Sequence, residues 1–169
     1  MNSILDQWNQ CERDDAIAML LSVCAARRWA DMLSSLRPFA DIEALLASAD
    51  EVWGTMKEPD WMEAFRAHPR IGQRTPASAT VQSNAWSSKE QSSVNAATQD
   101  TLDALARGNA QYEQQFGFTY IVCATGKSAD EMLRILERRL ESDLSSELRE
   151  AAEQQRQIMQ IRLRKWLQI

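Results

Sequence analysis

Phe116-Gly117-Phe118-Thr119-Tyr120-Ile121-Val122-Cys123 is the one stretch of this chain that reads as a β-strand. Its aromatic and β-branched residues suit a pleated, half-buried surface. A strand needs a partner, however, and no second run of this kind occurs in the 169 residues. One strand cannot make a sheet, so tertiary context must override the local propensity. The stretch is expected as an extended segment or as a short buried helix starting near Tyr120. The rest of the chain carries a helical period. The expected fold is therefore all-α, a single-domain bundle (residues 1–169) of about seven or eight helices with irregular crossings.

Residues 1–11 read as an irregular or short helical lead. Ile17, Leu20, Leu21 and Cys24 recur at helical spacing and predict a helix over 15–28. A short helix or turn over 29–36 stops before Pro38. Asp41 can cap a third helix, with Leu45, Leu46, Ala49 and Trp53 inward and Gly54 at its end. A fourth, over 59–67, opens on Pro59. Residues 69–86 show no firm periodicity, and 73–86 read as a lid or binding loop, or else as a packed surface excursion. The strongest central helix is expected over 87–106, with Gly108 interrupting it and 109–115 continuing it with a kink. Ser128 and Glu131 have capping-box spacing and open a helix through Leu140, with Met132, Leu133, Leu136 and Leu140 facing in. The last helix, over 145–166, lines up Leu148, Ala152, Gln155, Met159 and Arg162 on one side.

Composition narrows the function. The net charge of -5 excludes a broad basic surface for nucleic acid. No apolar stretch approaches membrane-spanning length, so no membrane partner is expected. The first fifteen residues hold no apolar signal core, and Trp166-Leu167-Gln168-Ile169 is not a peroxisomal address. The expectation is a cytoplasmic protein. Three cysteines, Cys11, Cys24 and Cys123, match no zinc motif and fit a reducing compartment, with Cys24 and Cys123 as core thiols. No phosphate-binding loop, dinucleotide glycine pattern or serine-nucleophile elbow is present.

His68 is the only histidine. It follows Trp61-Met62-Glu63-Ala64-Phe65-Arg66 and precedes Pro69, which disfavours the α region for the residue before it. The imidazole is thus expected at a helix-to-loop junction. It is either a hydrogen-bonded or merely exposed helix-end histidine, or a general acid or base. On a helix starting near Ser87, the residues Ser87, Glu90 and Gln91 share a side. They fit a capping box outright, and a polar face at a helix N-terminus would also favour an anionic ligand. Arg162 either snorkels outward or points its planar fork into a pocket, where it suits a carboxylate. A histidine, a carboxylate, an amide and an arginine suffice to move a proton and hold a small anion without metal or cofactor.

Arg37-Pro38-Phe39, His68-Pro69-Arg70-Ile71-Gly72, Ser87 to Gln91 as S-x-x-E-Q, Phe116-Gly117-Phe118, Gly126-Lys127, Arg138-Arg139-Leu140 and Ile158 followed by Arg162-Leu163 occur in that order over almost the whole chain. Together they resemble the 2-oxo-4-hydroxy-4-carboxy-5-ureidoimidazoline (OHCU) decarboxylases of urate degradation. Ile71 stands where leucine is common in that family, and Ser92-Ser93 where alanine or glycine is common. The resemblance implies an all-α lyase without cofactor, a homodimer, that converts OHCU to (S)-allantoin and carbon dioxide. It implies His68 and Glu90 as catalytic residues. It implies Ser87, Gln91, Arg162 and Pro69 as substrate-binding residues, with Phe116, Gly117 and Phe118 as a pocket wall and main-chain groups near Ile121 on the ring. Glu90 would either orient His68 or bind the ureido group. The alternatives are a related ureido or imidazoline ring hydrolase, and a helical interaction protein with an exposed apolar patch.

Overall fold

The computed structural model describes residues 3–72 and 80–169. Among them are nine α-helices, a 3₁₀ turn and no strand. In chain order the helices are α1 (Ser3–Gln10), α2 (Arg13–Val23), α3 (Arg27–Ser35), α4 (Ile42–Gly54), α5 (Glu58–Arg66), α6 (Val81–Glu90), α7 (Gln99–Phe116), α8 (Ala129–Arg139) and α9 (Leu144–Leu167), with the 3₁₀ turn at Ser92–Ala96 before α7. No helix among the described residues is long and apolar enough to cross a membrane. The chain forms two compact units, one of Met1–Ala64 with Arg156–Ile169, the other of Phe65–Gln155.

In the first unit α3 packs against both α2 and α4. The predicted helix over 15–28 is in fact broken after Val23, where Cys24 and Ala26 are extended. The break gives α3 its own direction and buries Trp29, Ala30 and Leu33 completely. The Trp29 indole N–H donates to the Ala49 carbonyl of α4 at 3.1 Å. Asp41 caps α4 as expected, accepting from Ala44 N at 2.8 Å. The N-terminal lead is helical because Trp8 anchors it. Its ring stacks on Phe39 at 6.0 Å and meets Trp166 edge-on at 5.7 Å. Arg37 donates to the Trp8 and Cys11 carbonyls at 2.5 and 3.0 Å, and Asn9 exchanges two 2.9 Å bonds with the Phe39 backbone. Arg37-Pro38-Phe39 is thereby the seam that ties α1 to the start of α4.

In the second unit α7 packs along α8. Gly108 does not interrupt α7, which runs unbroken from Gln99 to Phe116. A Cβ at Gly108 would stand 2.6 Å from Leu136 Cδ2, so the glycine is a site of close helix approach and not a breaker. The helix ends instead at Gly117, whose φ of 81° supplies the left-handed cap. The Ser128–Glu131 capping box is present, with both of its bonds made.

The strand-like run is an extended segment without a ladder, and Tyr120 to Ala124 are all buried. Three of its backbone groups are paired by side chains from α8, from α9 and from the turn before α8. Arg139 Nη1 donates to the Ile121 carbonyl at 2.5 Å, Cys123 N donates to Gln154 Oε1 at 2.8 Å, and Lys127 Nζ donates to the Cys123 carbonyl at 2.7 Å. Arg139 takes the inward position on α8, in line with Met132 and Leu136. It pairs with Glu147, which in turn accepts from the Tyr112 hydroxyl. Both charged side chains are at most 3% exposed. Burial is the strongest influence on Arg139 and works against its charge, but the Glu147 bond and the neighbouring hydroxyls outweigh it and raise the pKa.

A buried pair of this kind is costly to break from one side, because the remaining charge has no water to return to. Replacing Arg139 with methionine is expected to lower stability by about 3–5 kcal/mol in urea unfolding. Adding Glu147→Leu to that variant should recover part of the loss. Equal stability of the parent and the single variant would refute this account of the segment.

Candidate functional site

α5 ends at Arg66, and His68 N donates back to the Phe65 carbonyl at 3.1 Å. The imidazole therefore sits at the helix-to-loop junction that Pro69 imposes, half-buried, beside a buried Pro69. The residues that follow are tied to α7 and to the end of α6. Arg70 makes a two-pronged pair with Glu113 at 2.6 and 2.5 Å, Asn109 Nδ2 donates to the Ile71 carbonyl at 3.1 Å, and Gly72 N donates to Gln91 Oε1 at 3.0 Å. On the other side, Phe65 packs on Phe118 with ring centroids 5.3 Å apart. Phe116 and Phe118 gather around Tyr112 at 4.7 and 5.6 Å. Phe116, Phe118 and Ile121 are all buried, while Gly117 is exposed.

Ser87, Glu90 and Gln91 share a helical turn as expected, but it is the last turn of α6 and not the first of a new helix. Thr80 is the N-cap, accepting from Ser83 N at 3.0 Å, and Gln91 is the C-cap. Neither the capping box nor the helix N-terminus expected at Ser87 exists. The C-terminal end of a helix carries partial negative charge, so an anion here must be held by side-chain donors. Ser87 is buried and Glu90 half-buried. Only an oxygen can accept from Gly72 N–H, so the Gln91 amide is oriented with its NH₂ as the remaining donor. Of the expected lid, 80–86 is the cap and first part of α6, and 73–79 lies outside the described residues.

Arg162 belongs to the first unit, whereas His68, Pro69, Ser87, Glu90, Gln91 and the Phe116–Ile121 stretch belong to the second. Arg162 does not snorkel; it is 2% exposed, and its Nη1 donates to the Val23 carbonyl at 3.4 Å. Cys24 lies close enough to feel its charge. Burial nonetheless dominates and pushes the Cys24 thiol from 9.0 up to about 12.

Two residues take part in the site that no motif marks as functional. Gln155, fully buried on α9, places Oε1 2.7 Å from His68 Nε2. Asn109 holds the loop after it. The signal for Gln155 was its place on an otherwise mainly apolar stripe. Gln155 Nε2, Asn109 Oδ1 and Asn84 Oδ1 are buried without a hydrogen-bond partner among the described residues. Among those residues no group of three or more His, Cys, Asp or Glu is placed to hold a metal ion. A recess of about 460 Å³ lined by Asp6, Asn9, Gln10, Ser34, Arg37 and Pro38 contains none of the expected site residues.

A family model for OHCU decarboxylase matches residues 9–164. The chain belongs to the OHCU decarboxylase family. It is 33% identical over 161 residues to the uric acid degradation bifunctional protein TTL of Arabidopsis thaliana, covering 95% of this chain and 46% of that protein. It thus spans about half the length of that relative. It is 32% identical over 148 residues to the OHCU decarboxylase of Amia calva, covering 86% of this chain and 81% of the relative. Among solved structures, an OHCU decarboxylase crystallised in the presence of (S)-allantoin is similar at a TM-score of 0.76 and 32% identity, over 94% of this chain and all of that one.

The Cys24 shift bears on chemistry. Burial disfavours the charged thiolate, so Cys24 is a poor nucleophile near neutrality. Alkylation at pH 8 followed by peptide mapping should leave Cys24 unmodified in the folded protein and modify it in urea. Rapid labelling of folded protein at Cys24 would contradict its burial.

Proposed function

We propose that this chain decarboxylates OHCU to (S)-allantoin and carbon dioxide in urate degradation. The observation that carries the reading is the sole histidine, held at a helix-to-loop junction by a buried amide, in a chain of this family. The family match runs from 9 to 164 and supports treating 1–169 as one decarboxylase-like domain. The large exposed apolar side chains among the described residues are single ones, Leu36 just past α3, Val81 at the start of α6, and Leu144 and Ile169 at the two ends of α9, which does not favour an interaction module.

The substrate supplies its own electron sink. When the bond from C4 to the carboxylate breaks, its electron pair forms a double bond to C5. The ring carbon–nitrogen double bond at C5 shifts its electrons onto nitrogen, which takes a proton. The hydroxyl on C4 then gives up its proton as the carbonyl forms, and C5 receives a proton on one face, which sets the S configuration. His68 acts as the base toward that hydroxyl and supports the proton transfers. Glu90 accepts from the ureido N–H groups of the substrate. Ser87 and the Gln91 NH₂ hold substrate oxygens, and Arg162, by resemblance to the family, binds the carboxylate. Pro69, Phe116, Gly117, Phe118 and main-chain groups near Ile121 shape the wall against the ring. Placement and electrostatics carry the rate, since no covalent step is required. The protein acts as a cytoplasmic homodimer; family resemblance supports the dimer, and its free cysteines suit a reducing compartment.

The test uses OHCU made fresh from urate with urate oxidase and hydroxyisourate hydrolase, followed by circular dichroism of allantoin against the racemic background of spontaneous decay. The protein is expected to give a fast rise of (S)-allantoin. His68→Asn should lower turnover by about 10²–10⁴-fold while its own dichroism stays that of folded helix. Near-normal turnover in that variant would overturn the assignment.

A further inference from the structure

We infer that Gln155 is a positioning residue that decides which ring nitrogen of His68 carries the proton. The catalytic consequence rests on the function proposed above. Gln155 lies 87 positions from His68 in the chain and reaches it with a 2.7 Å bond. It is 0% exposed, next in line with the buried Ala152 and Met159 on α9. A methionine would fill that place without leaving Nε2 as a buried donor lacking a partner among the described residues. Such an orphan costs about 1–3 kcal/mol, so the amide stands here at a stability cost that calls for a reason.

The reason lies in the chemistry of the pair. A carbonyl oxygen only accepts, so Oε1 at this distance requires a hydrogen on Nε2. In the neutral ring the lone pair then belongs to Nδ1, which is the nitrogen that takes up a proton. On protonation the Nε2–H bond to Gln155 is unchanged, so the ring keeps its place through the cycle. The opposite amide orientation could serve only the neutral ring, because an imidazolium has no lone pair to offer an amide N–H. A neutral amide also orients the ring without the pull on its charge that a carboxylate would exert. Gln155 therefore assigns Nδ1 as the basic atom toward the substrate hydroxyl and Nε2 as the tether.

Because His68 is the only histidine, protein labelled with ¹⁵N-histidine shows a single imidazole by NMR. In the neutral ring, Nε2 is expected at the protonated position and Nδ1 at the unprotonated one. Gln155→Met should give a mixture of tautomers. Gln155→Glu, an acceptor of similar reach, should keep the hydrogen on Nε2. In turnover, Gln155→Met should lower kcat by about tenfold or more with KM within about twofold. A hydrogen on Nδ1 in the parent protein, or an unchanged tautomer in a folded Gln155→Met variant, would overturn the inference. If the methionine variant fails to fold, the parent spectrum and the glutamate variant decide. The spectra need no substrate, so inactivity toward OHCU with the expected tautomer would count against the proposed reaction and not against the tether.

Discussion

A length of extended chain buried without a neighbouring strand must find a partner for each amide separately, and much of the second unit is arranged around that requirement. The Ile121 carbonyl takes the Arg139 guanidinium, Cys123 N–H takes Gln154, and the Cys123 carbonyl takes Lys127. The Tyr120 hydroxyl returns a bond to the Met132 carbonyl of α8. These donors and acceptors come from α8, its approach and α9, so the segment fixes where those helices stand. It also reaches the candidate chemistry through adjacent residues of one helix. Gln154 holds the extended segment and Gln155 holds His68.

The polarity of α6 shapes the chemistry on offer. With Ser87, Glu90 and Gln91 on its last turn, the helix field opposes a negative ligand, and Glu90 adds a carboxylate to the same turn. The balance must come from directed donors and from a cation. This favours a substrate that presents N–H groups as well as an acid group over a simple anion.

Much of this was legible in the sequence because its causes are local. Asp41 and the Ser128–Glu131 pair cap the helices they were expected to cap, Pro69 stops α5 before His68, and the α9 stripe is buried at Ala152, Gln155, Met159 and Arg162. The misreading of Ser87 has the same root. The spacing of serine and glutamate describes one turn and does not say whether the turn is a helix's first or last, and Val81 to Glu90 carries no apolar stripe to reveal its true start. Gly108 was read from propensity, but its meaning lies in Leu136 across the α7–α8 contact. The role of Gln155 depends on a side chain 87 positions away, which no local pattern encodes. Arg139 was quoted as part of a motif, yet nothing in the sequence alone placed its charge in the core beside Glu147.

The loop after His68 is fastened at three successive residues by ties of different character. Asn109 to Ile71 is a bond from a fully buried amide, Gly72 to Gln91 is an exposed bond from the main-chain N–H of a positive-φ glycine to a side-chain oxygen, and Arg70 to Glu113 is a half-exposed ion pair. Added salt screens the last and scarcely touches the first two. The anchoring of the imidazole thus has a part indifferent to salt and a part sensitive to it. The ring need not be ordered anew each time a substrate arrives, and that saved entropy is available to the reacting complex. Ionic strength becomes a dial on the arginine tie alone, one that loosens the edge of the loop while the histidine stays moored.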